Sequence, residues 1–282
     1  MKKILFFGAN GFIGRNLLPL LKGFEVHVSS SQLLRAKESG PVAELVQEFQ
    51  PDWILQFSGV LPYGNSTFDL YQGNILPTVQ LAEGLRLARR ENTPVYLLGS
   101  AAELGHTSSR PINETFACMP QTDYGLSKFQ QNQFAQLKNA QGYRFSTLRL
   151  FNVIGPGMNK SQVPQCFIEQ IRAGNNSIQT GPLDSVRDFL DVRDLASTIV
   201  KLLELQWNEP LLHLCSRISH RPRELLETLL RLAHCSAAIE EKKDSVIGTY
   251  PSVADAGALR KILGAAPAFD LEKTLSEMLE AK

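Results

Sequence analysis

The stretch Phe7-Gly8-Ala9-Asn10-Gly11-Phe12-Ile13-Gly14 lies near the start of the chain, between a short apolar run and the first segment of helical period. Its three glycines have the spacing Gly-x-x-Gly-x-x-Gly. In a strand–turn–helix unit the first glycine permits a tight turn, the second lets the backbone approach a pyrophosphate, and the third lets helix pack on strand. The N–H groups of the helix N-terminus then face the phosphates. The spacing predicts a dinucleotide-binding turn formed by Gly8, Asn10, Gly11, Phe12, Ile13 and Gly14, with a purely structural turn as the alternative.

Short apolar runs alternate with longer segments of helical period through the first half of the chain. The predicted strands are Ile4–Phe7, Phe24–Val28, Trp53–Phe57, Val95–Leu98 and Phe145–Leu150. The predicted helices are Phe12–Leu21, Glu38–Phe49, Phe68–Arg89 and Asp123–Asn139. Strands that are apolar on both faces and alternate with helices indicate a parallel sheet covered on both sides. We therefore predict an α/β fold: a Rossmann-type doubly wound parallel sheet with a smaller C-terminal α/β lobe that binds the substrate.

Glycine and proline become frequent after about residue 155, and the predicted elements become shorter. This change of texture indicates a domain boundary. We predict a dinucleotide-binding domain over 1–155, to which 186–207 returns, and a smaller substrate-binding lobe over 156–282.

The composition of the 282 residues excludes several classes of protein. Lys and Arg number 29 against 28 Asp and Glu, so no bulk charge draws the chain to nucleic acid or to an anionic membrane. The four cysteines form no Cys-x-x-Cys pair, which argues against a metal site. No apolar stretch is long enough for a signal peptide or a membrane span. We expect a cytoplasmic protein with no metal, no nucleic-acid partner and no membrane contact.

The end of the second predicted strand reads Val28-Ser29-Ser30-Ser31, and Arg35 follows shortly after. Folds that prefer NAD usually carry Asp or Glu here to hold the ribose 2′-OH. Neutral hydroxyls and a cation suit a 2′-phosphate, so NADPH is favoured, with Ser29, Ser30 and Arg35 as its contacts, and NAD remains possible. The alternative is that Arg35 is solvated and the serines only cap the next turn.

Three residues predict proton-transfer chemistry. Tyr124 and Lys128 are four residues apart and therefore share one face of a helix. An ammonium near the phenol is expected to lower the pKa of Tyr124. Ser100 follows the predicted strand Val95–Leu98, and its hydroxyl is expected to bind the carbonyl oxygen that Tyr124 protonates. A Tyr-x-x-x-Lys spacing alone is more often a solvated helix face, so the signal lies in the order of glycine turn, Ser and Tyr/Lys pair.

With these motifs the chain resembles the extended short-chain dehydrogenase/reductase family, in its branch that modifies nucleotide sugars. The segments that carry the resemblance are the glycine turn, Gln56–Gly59, Asn74, Gly99–Gly105, Tyr124 with Lys128, Arg149–Gly157 and Arg187–Asp194. The resemblance implies that Ser58, Gly59, Lys128 and Phe151 hold the cofactor. It implies that Ala101, Asn152 and Arg187 lie against the substrate, a nucleotide-diphosphate sugar. The alternative for Arg187 is a salt bridge to Asp188 or Asp191.

The residues after Ser100 distinguish between reactions of the family. Dehydratases carry an Asp-Glu pair there and the epimerase-reductases that make GDP-fucose carry a cysteine, whereas this chain has Ala101 and Ala102. Two reactions of the family remain possible for this chain, reduction of a ketone and 4-epimerisation. Ser100–Gly105 and Arg187–Asp194 are similar to GDP-4-keto-6-deoxy-mannose reductases, but Lys242–Gly248 lacks their late Arg-Pro-x-Asp segment, so the nucleotide base stays open.

The resemblance thus implies an NADPH-dependent reductase of a nucleotide-linked 4-keto-6-deoxy sugar. One alternative is a nucleotide-sugar 4-epimerase with tightly bound NAD, and another is a non-catalytic dinucleotide-sensing protein. As in relatives of the family, we expect a homodimer formed by the helices at about 68–90 and 122–140.

Overall fold

The computed structural model describes residues 1–107, 111–216, 218–242, 251–264 and 270–281. The chain packs into two compact units. Unit 1 consists of Met1–Gly105, Ala117–Leu150 and Ala196–Leu212, and unit 2 of His106–Phe116, Phe151–Leu195 and His213–Lys282. Most of the late segment Lys242–Gly248, used above to compare nucleotide bases, lies outside the described residues.

The described elements follow the chain in this order. The strands are β1 (Lys2–Phe7), β2 (Phe24–Ser29), β3 (Trp53–Gln56), β4 (Pro94–Ser100), β5 (Arg144–Leu150), β6 (Asn152–Ile154), β7 (Ser177–Thr180), β8 (Arg187–Asp191), β9 (Leu211–Leu214), β10 (Ser219–His220) and β11 (Ala238–Glu241). The helices are α1 (Phe12–Leu17), α2 (Gly40–Phe49), α3 (Thr67–Asn74), α4 (Leu76–Leu87), α5 (Asp123–Asn139), α6 (Gln165–Arg172), α7 (Val192–Glu204), α8 (Pro222–Leu232), α9 (Gly257–Leu263) and α10 (Leu271–Glu280).

A six-stranded sheet has the order β2-β1-β3-β4-β5-β9, and β1 to β5 pair in parallel. Ile4–Phe7 of β1 is fully buried, because helices cover both faces of a sheet of this kind. The predicted doubly wound α/β fold is confirmed. The strand order reverses at β1, which has β2 on one side and β3 on the other. Ligands of such sheets bind beyond the carboxyl ends of the strands at this reversal, and the glycine turn follows β1.

Two predicted helices differ from those observed. The predicted helix Phe12–Leu21 ends at Leu17 and continues as the short 3-10 turn Leu18–Leu20. The predicted long helix Phe68–Arg89 is divided into α3 and α4 at Ile75. Pro77 explains the division, because proline has no N–H to donate and its ring disfavours a regular helix just before it.

Unit 2 contains two small sheets. One has the order β10-β8-β6, with β6 and β8 parallel and β8 and β10 antiparallel; the other pairs β7 with β11 in parallel. The bounds of the units differ from the predicted 1–155 and 186–207. Unit 2 begins at Phe151 and also takes in His106–Phe116, and the return to unit 1 is Ala196–Leu212. The reason is that β8 forms its ladders with β6 and β10 of unit 2.

Among the described residues, no helix is long and apolar enough to cross a membrane. Within the same residues, no group of three or more His, Cys, Asp or Glu side chains is placed to hold a metal ion.

Candidate active site

The glycine turn packs directly against the segment that follows β3. Gly8 has φ +88°, and a Cβ there would lie 2.5 Å from the backbone nitrogen of Ser58. A Cβ at Gly14 would lie 2.4 Å from the carbonyl oxygen of Gly8. Both positions therefore require glycine, one to let neighbouring backbones touch and the other to bring α1 onto the turn. Gly11 is exposed at the start of α1, and no side chain caps this helix end.

The segment after β3 is in turn joined to α5. A Cβ at Gly59 would lie 3.0 Å from Oδ1 of Asn74 and 3.5 Å from Nζ of Lys128. The amide of Asn74 accepts a hydrogen bond from the backbone N–H of Val60 (2.9 Å) and donates one to Oγ of Ser127 (3.0 Å). The glycine turn, Ser58–Gly59 and Lys128 thus form one continuous region of unit 1. The sequence predicted these parts separately, and the fold brings them together.

Ser100 and Tyr124 meet where β4 ends and α5 begins. Ser100 precedes the 3-10 turn Ala101–Glu103, and its hydroxyl accepts the backbone N–H of Ala102 at 3.2 Å. The side chain of Ser100 lies close enough to the phenol of Tyr124 to lower its pKa. Gly125 permits this approach, because a Cβ there would lie 2.3 Å from the carbonyl oxygen of Ala102. The fold therefore brings the strand-end serine and the helix tyrosine close together.

Lys128 lies one helical turn after Tyr124 and is only 6% exposed. Its ammonium donates to the carbonyl oxygen of Leu98 at 2.9 Å and to Oε1 of Gln131 at 3.0 Å. Gln131 is itself held by a donor bond to Oγ1 of Thr78 at 3.0 Å. The ammonium is thus fixed to the carboxyl end of β4.

The pKa of Tyr124 differs from the expectation. Burial raises the pKa of Tyr124 to about 12, the neighbouring Ser100 side chain lowers it, and the negative charge of Glu103 raises it further. The predicted net lowering is wrong, because desolvation of the phenolate is the largest influence on this pKa. Tyr124 is therefore protonated at neutral pH, as a proton donor must be at the start of a reaction.

Burial has the opposite effect on Lys128, because its charged form is the cation. Desolvation lowers the pKa of Lys128 to about 8, against a smaller rise caused by Glu103. Between pH 8 and 10.5 the unfolded chain binds more protons at this site than the folded chain, so folded-state stability rises with pH. The free energy of unfolding of Lys128→Met should therefore rise with pH by about 1–3 kcal/mol less than that of wild type.

Urea titrations of wild type and Lys128→Met at several pH values between about 7 and 10 measure this difference. The exposed Lys22→Met serves as the control for loss of a lysine without burial. A constant difference between wild type and Lys128→Met across this range would contradict the depressed pKa.

A buried ion pair lies behind Ser100. The carboxylate of Glu103 and the guanidinium of Arg149 are 2.8 Å apart and are 0% and 1% exposed. Glu103 and Arg149 both lie in motifs named above, but neither was predicted to have a role. The buried ion pair could have been predicted from Arg149, because an arginine inside the apolar strand Phe145–Leu150 requires a buried partner.

The end of β2 carries the three predicted contacts of a 2′-phosphate. Ser29 is half-buried, and Ser30 and Arg35 are exposed. The hydroxyl of Ser30 accepts the backbone N–H of Gln32 at 3.2 Å, so it does stabilise the turn that leads to the 3-10 segment Leu33–Arg35. Both the cofactor and the capping interpretation of these serines are compatible with this position.

The remaining predicted residues of unit 2 lie on one of its small sheets or directly before it. Phe151 precedes β6 and makes an edge-on contact with the ring of His213, with centroids 5.3 Å apart. Asn152 in β6 donates from its amide to the carbonyl oxygen of Asp188 at 2.8 Å. Arg187 at the start of β8 donates to Oγ of Ser185 at 3.0 Å.

Asp191, one of the two carboxylates proposed as alternative partners of Arg187, pairs with Arg193 at 2.7 Å. Ala101, the last predicted substrate contact, is half-buried in unit 1 directly after Ser100.

A glycine turn after β1 and a Ser–Tyr–Lys set at the end of β4 are the features on which the predicted family depended. The model of the NAD dependent epimerase/dehydratase family matches residues 4–210. The chain belongs to this family. The predicted family is therefore confirmed, and the protein is an enzyme of the extended short-chain dehydrogenase/reductase type.

Two curated members of the epimerase/dehydratase family cover most of the chain. GDP-6-deoxy-D-talose 4-dehydrogenase of Aggregatibacter actinomycetemcomitans is 23% identical over 248 residues, which are 86% of this chain and 83% of that protein. GDP-6-deoxy-D-mannose reductase of Pseudomonas aeruginosa is 28% identical over 251 residues, 82% of this chain and 80% of that protein.

Solved structures of the family have the same fold. The structure of RMD from Pseudomonas aeruginosa complexed with NADPH has a TM-score of 0.85 at 24% identity and covers 99% of this chain and 98% of its own. UDP-glucose 4-epimerase of Thermus thermophilus with NAD has a TM-score of 0.84 at 19% identity, with coverage of 99% and 98%. At these identities the likeness establishes the fold alone.

Proposed function

We propose that this family member is an NADPH-dependent reductase of a nucleotide-linked 4-keto-6-deoxy sugar. The observation that carries the proposal is that Ser100 and Tyr124 lie close together at the end of β4, one helical turn from Lys128, whose ammonium donates to the carbonyl oxygen of Leu98. Ala101 and Ala102 carry no group that can move a proton, which favours simple ketone reduction over dehydration. The names of the two curated relatives, a 4-dehydrogenase and a reductase of GDP-linked deoxy sugars, support the substrate class.

The residues of unit 1 fit a nicotinamide dinucleotide. Backbone contacts leave no room for a side chain at Gly8 or Gly14, Gly11 is exposed, and the first turn of α1 offers N–H groups that no side chain caps. We assign the cofactor to residues of the glycine turn, of the end of β2 and the turn after it, of the segment after β3, and to Lys128 and Phe151. These residues are Gly8, Asn10, Gly11, Phe12, Ile13, Gly14, Ser29, Ser30, Arg35, Ser58, Gly59, Lys128 and Phe151. When bound, the reduced nicotinamide supplies a hydride to the keto carbon.

The side chains near the end of β4 carry out the proton transfer. Tyr124 donates the phenolic proton to the carbonyl oxygen as that oxygen gains negative charge, and the ketone becomes a secondary alcohol. The hydroxyl of Ser100 donates a hydrogen bond to the same oxygen and stabilises its developing charge. The ammonium of Lys128 stabilises the tyrosinate that results. Ala101, Asn152 and Arg187 are assigned to the substrate, with the guanidinium suited to a diphosphate.

Arg35 gives a prediction about the choice of cofactor. Its exposed guanidinium would pair with the 2′-phosphate of NADPH, which NADH lacks. We expect Arg35→Ala to weaken NADPH binding about 10- to 100-fold, since hydrogen bonds to charged groups contribute about 1.5–3 kcal/mol, and to leave NADH binding within about twofold. Fluorescence titration of both cofactors measures the effect.

The exposed Lys22→Ala is the matched control for the loss of one positive charge from unit 1, and it should leave the ratio of the two affinities unchanged. Equal losses for NADPH and NADH in Arg35→Ala would exclude the 2′-phosphate contact.

The activity is tested by following NADPH absorbance with GDP- and dTDP-linked 4-keto-6-deoxy sugars. We expect oxidation of NADPH with at least one of them. Purified protein that contains stoichiometric NAD and converts a nucleotide sugar without added reductant would identify a 4-epimerase instead. Intact cofactor binding with no turnover across the panel would identify a dinucleotide-sensing protein.

We also propose that the enzyme is a homodimer. Leu87 at the end of α4 and Leu137 near the end of α5 are exposed apolar side chains on the two helices expected to pair. Light scattering of the purified enzyme tests the proposal, and a monomeric mass would exclude it.

A further inference from the structure

The carboxylate of Glu103 is tied to the backbone of Ser100. Oε1 of Glu103 accepts the backbone N–H of Ser100 at 2.7 Å, while the hydroxyl of Ser100 accepts the N–H of Ala102. These two reciprocal bonds form a capping box around the 3-10 turn Ala101–Glu103. They restrain both the main chain and the side chain of Ser100 at the point where it meets Tyr124.

The second oxygen of the same carboxylate is held on the opposite side. Oε2 of Glu103 accepts from Nη2 and Nε of Arg149, at 2.8 and 3.2 Å, and from Nδ2 of Asn132 at 3.4 Å. Glu103 is therefore anchored from β5 and from α5 and has little freedom to move. Gly99 makes room for it, because a Cβ there would lie 2.7 Å from Oε1 of Glu103.

Stability alone does not account for this arrangement. A fully buried ion pair loses its hydration, and replacing such a pair with apolar side chains of similar volume is often neutral or stabilising. A cap on a turn of three residues also does not require a charged pair, since neutral acceptors serve the same purpose. What the pair provides is one fixed position for the carboxylate, and through it one fixed position for Ser100.

We propose that Glu103, held by Arg149, is a positioning residue that fixes the hydroxyl of Ser100 beside Tyr124. This inference rests on the proposed function for its effect on turnover, but the geometry that it predicts is measurable without any substrate. Glu103 acts through Ser100 and does not touch the substrate itself.

Two double variants distinguish the positioning of Ser100 by Glu103 from the effect of removing a buried ion pair. Glu103→Leu with Arg149→Met removes both charges and the acceptor for the N–H of Ser100 while keeping side chains of comparable volume. Glu103→Gln with Arg149→Met also removes both charges but keeps an amide oxygen where Oε1 accepts from Ser100. Neither variant leaves an unpaired buried charge, so both are expected to fold.

We expect the Leu/Met enzyme to have a kcat about 10- to 100-fold below wild type, as displacements near 1 Å at a reacting group can produce, with KM and NADPH affinity within about twofold. The Gln/Met enzyme should recover to within about threefold of wild type. Crystal structures of both holoenzymes should show a longer distance between Oγ of Ser100 and Oη of Tyr124 in the first and the wild-type distance in the second.

Tyr96→Phe is the control for loss of a buried hydrogen bond on the same strand. Tyr96 donates to the carbonyl oxygen of Trp207 at 2.6 Å, four residues before Ser100. This variant should have a lower melting temperature with an unchanged kcat.

An unchanged distance between Oγ of Ser100 and Oη of Tyr124 in the Leu/Met enzyme overturns the positioning role, whatever the activity. A longer distance with kcat at the wild-type value, or equal kcat losses in both double variants, also overturns it. If wild type reduces no keto sugar but the distance lengthens in the Leu/Met enzyme and is kept in the Gln/Met enzyme, the reductase proposal fails and the positioning role stands.

Discussion

Tyr124→Phe is expected to lower kcat about 10²–10⁴-fold, which is the contribution typical of a positioned general acid. The substitution removes only the phenolic hydroxyl, the donor of the proton to the carbonyl oxygen, and leaves the ring in place. Burial keeps the pKa of Tyr124 at about 12, so wild-type enzyme begins every turnover with this proton bound. Steady-state rates of NADPH oxidation with the best 4-keto sugar of the panel measure the loss.

The affinity for NADPH should change little in Tyr124→Phe, because the phenol is assigned to the substrate oxygen. Tyr143→Phe is the matched control: its hydroxyl is also buried in unit 1, where it donates to the carbonyl oxygen of Ala82 at 3.3 Å. We expect Tyr143→Phe to keep kcat within about twofold while losing about 1 kcal/mol of stability. Near-normal turnover in Tyr124→Phe would exclude Tyr124 as the proton donor.

Gly8→Ala is expected to weaken NADPH binding by more than about 100-fold and to destabilise unit 1 by about 2 kcal/mol or more. The added Cβ would lie 2.5 Å from the nitrogen of Ser58 and 2.6 Å from the carbonyl carbon of Phe57. Both atoms belong to the backbone, so the turn itself must move away from the segment after β3. Cofactor titration and urea denaturation measure the two effects.

Gly142→Ala is the control that has the backbone strain of Gly8→Ala without its steric clash. Gly142 has φ +92°, close to the φ of +88° at Gly8, but a Cβ there would meet no atom within 4 Å. The control should therefore lose only about 1 kcal/mol, the cost of a left-handed backbone for an L-residue, and bind NADPH normally. Wild-type affinity in Gly8→Ala would show that the glycine turn does not hold the dinucleotide.

Local patterns predicted most of unit 1. The apolar run before Gly8 identified β1, and the glycine spacing identified the turn into α1, because each depends on residues that are neighbours in the chain. The division of Phe68–Arg89 at Pro77 was also readable locally, and the prediction of one long helix overlooked it. The bounds of unit 2 were harder to predict from the sequence. The strand ladders that place β8 in this unit join segments that are far apart in the chain.

The sequence by itself determined the parallel sheet, the glycine turn, and a tyrosine and a lysine on one face of a helix. These follow from the periodicity of apolar side chains and from the conformations that glycine alone adopts. Only the tertiary structure decided that Tyr124 meets Ser100, that Lys128 lies beside Gly59, and that Glu103 is buried against Arg149. It also decided the direction in which the pKa of Tyr124 moves, because desolvation depends on every group packed around the phenol and not on the spacing to Lys128.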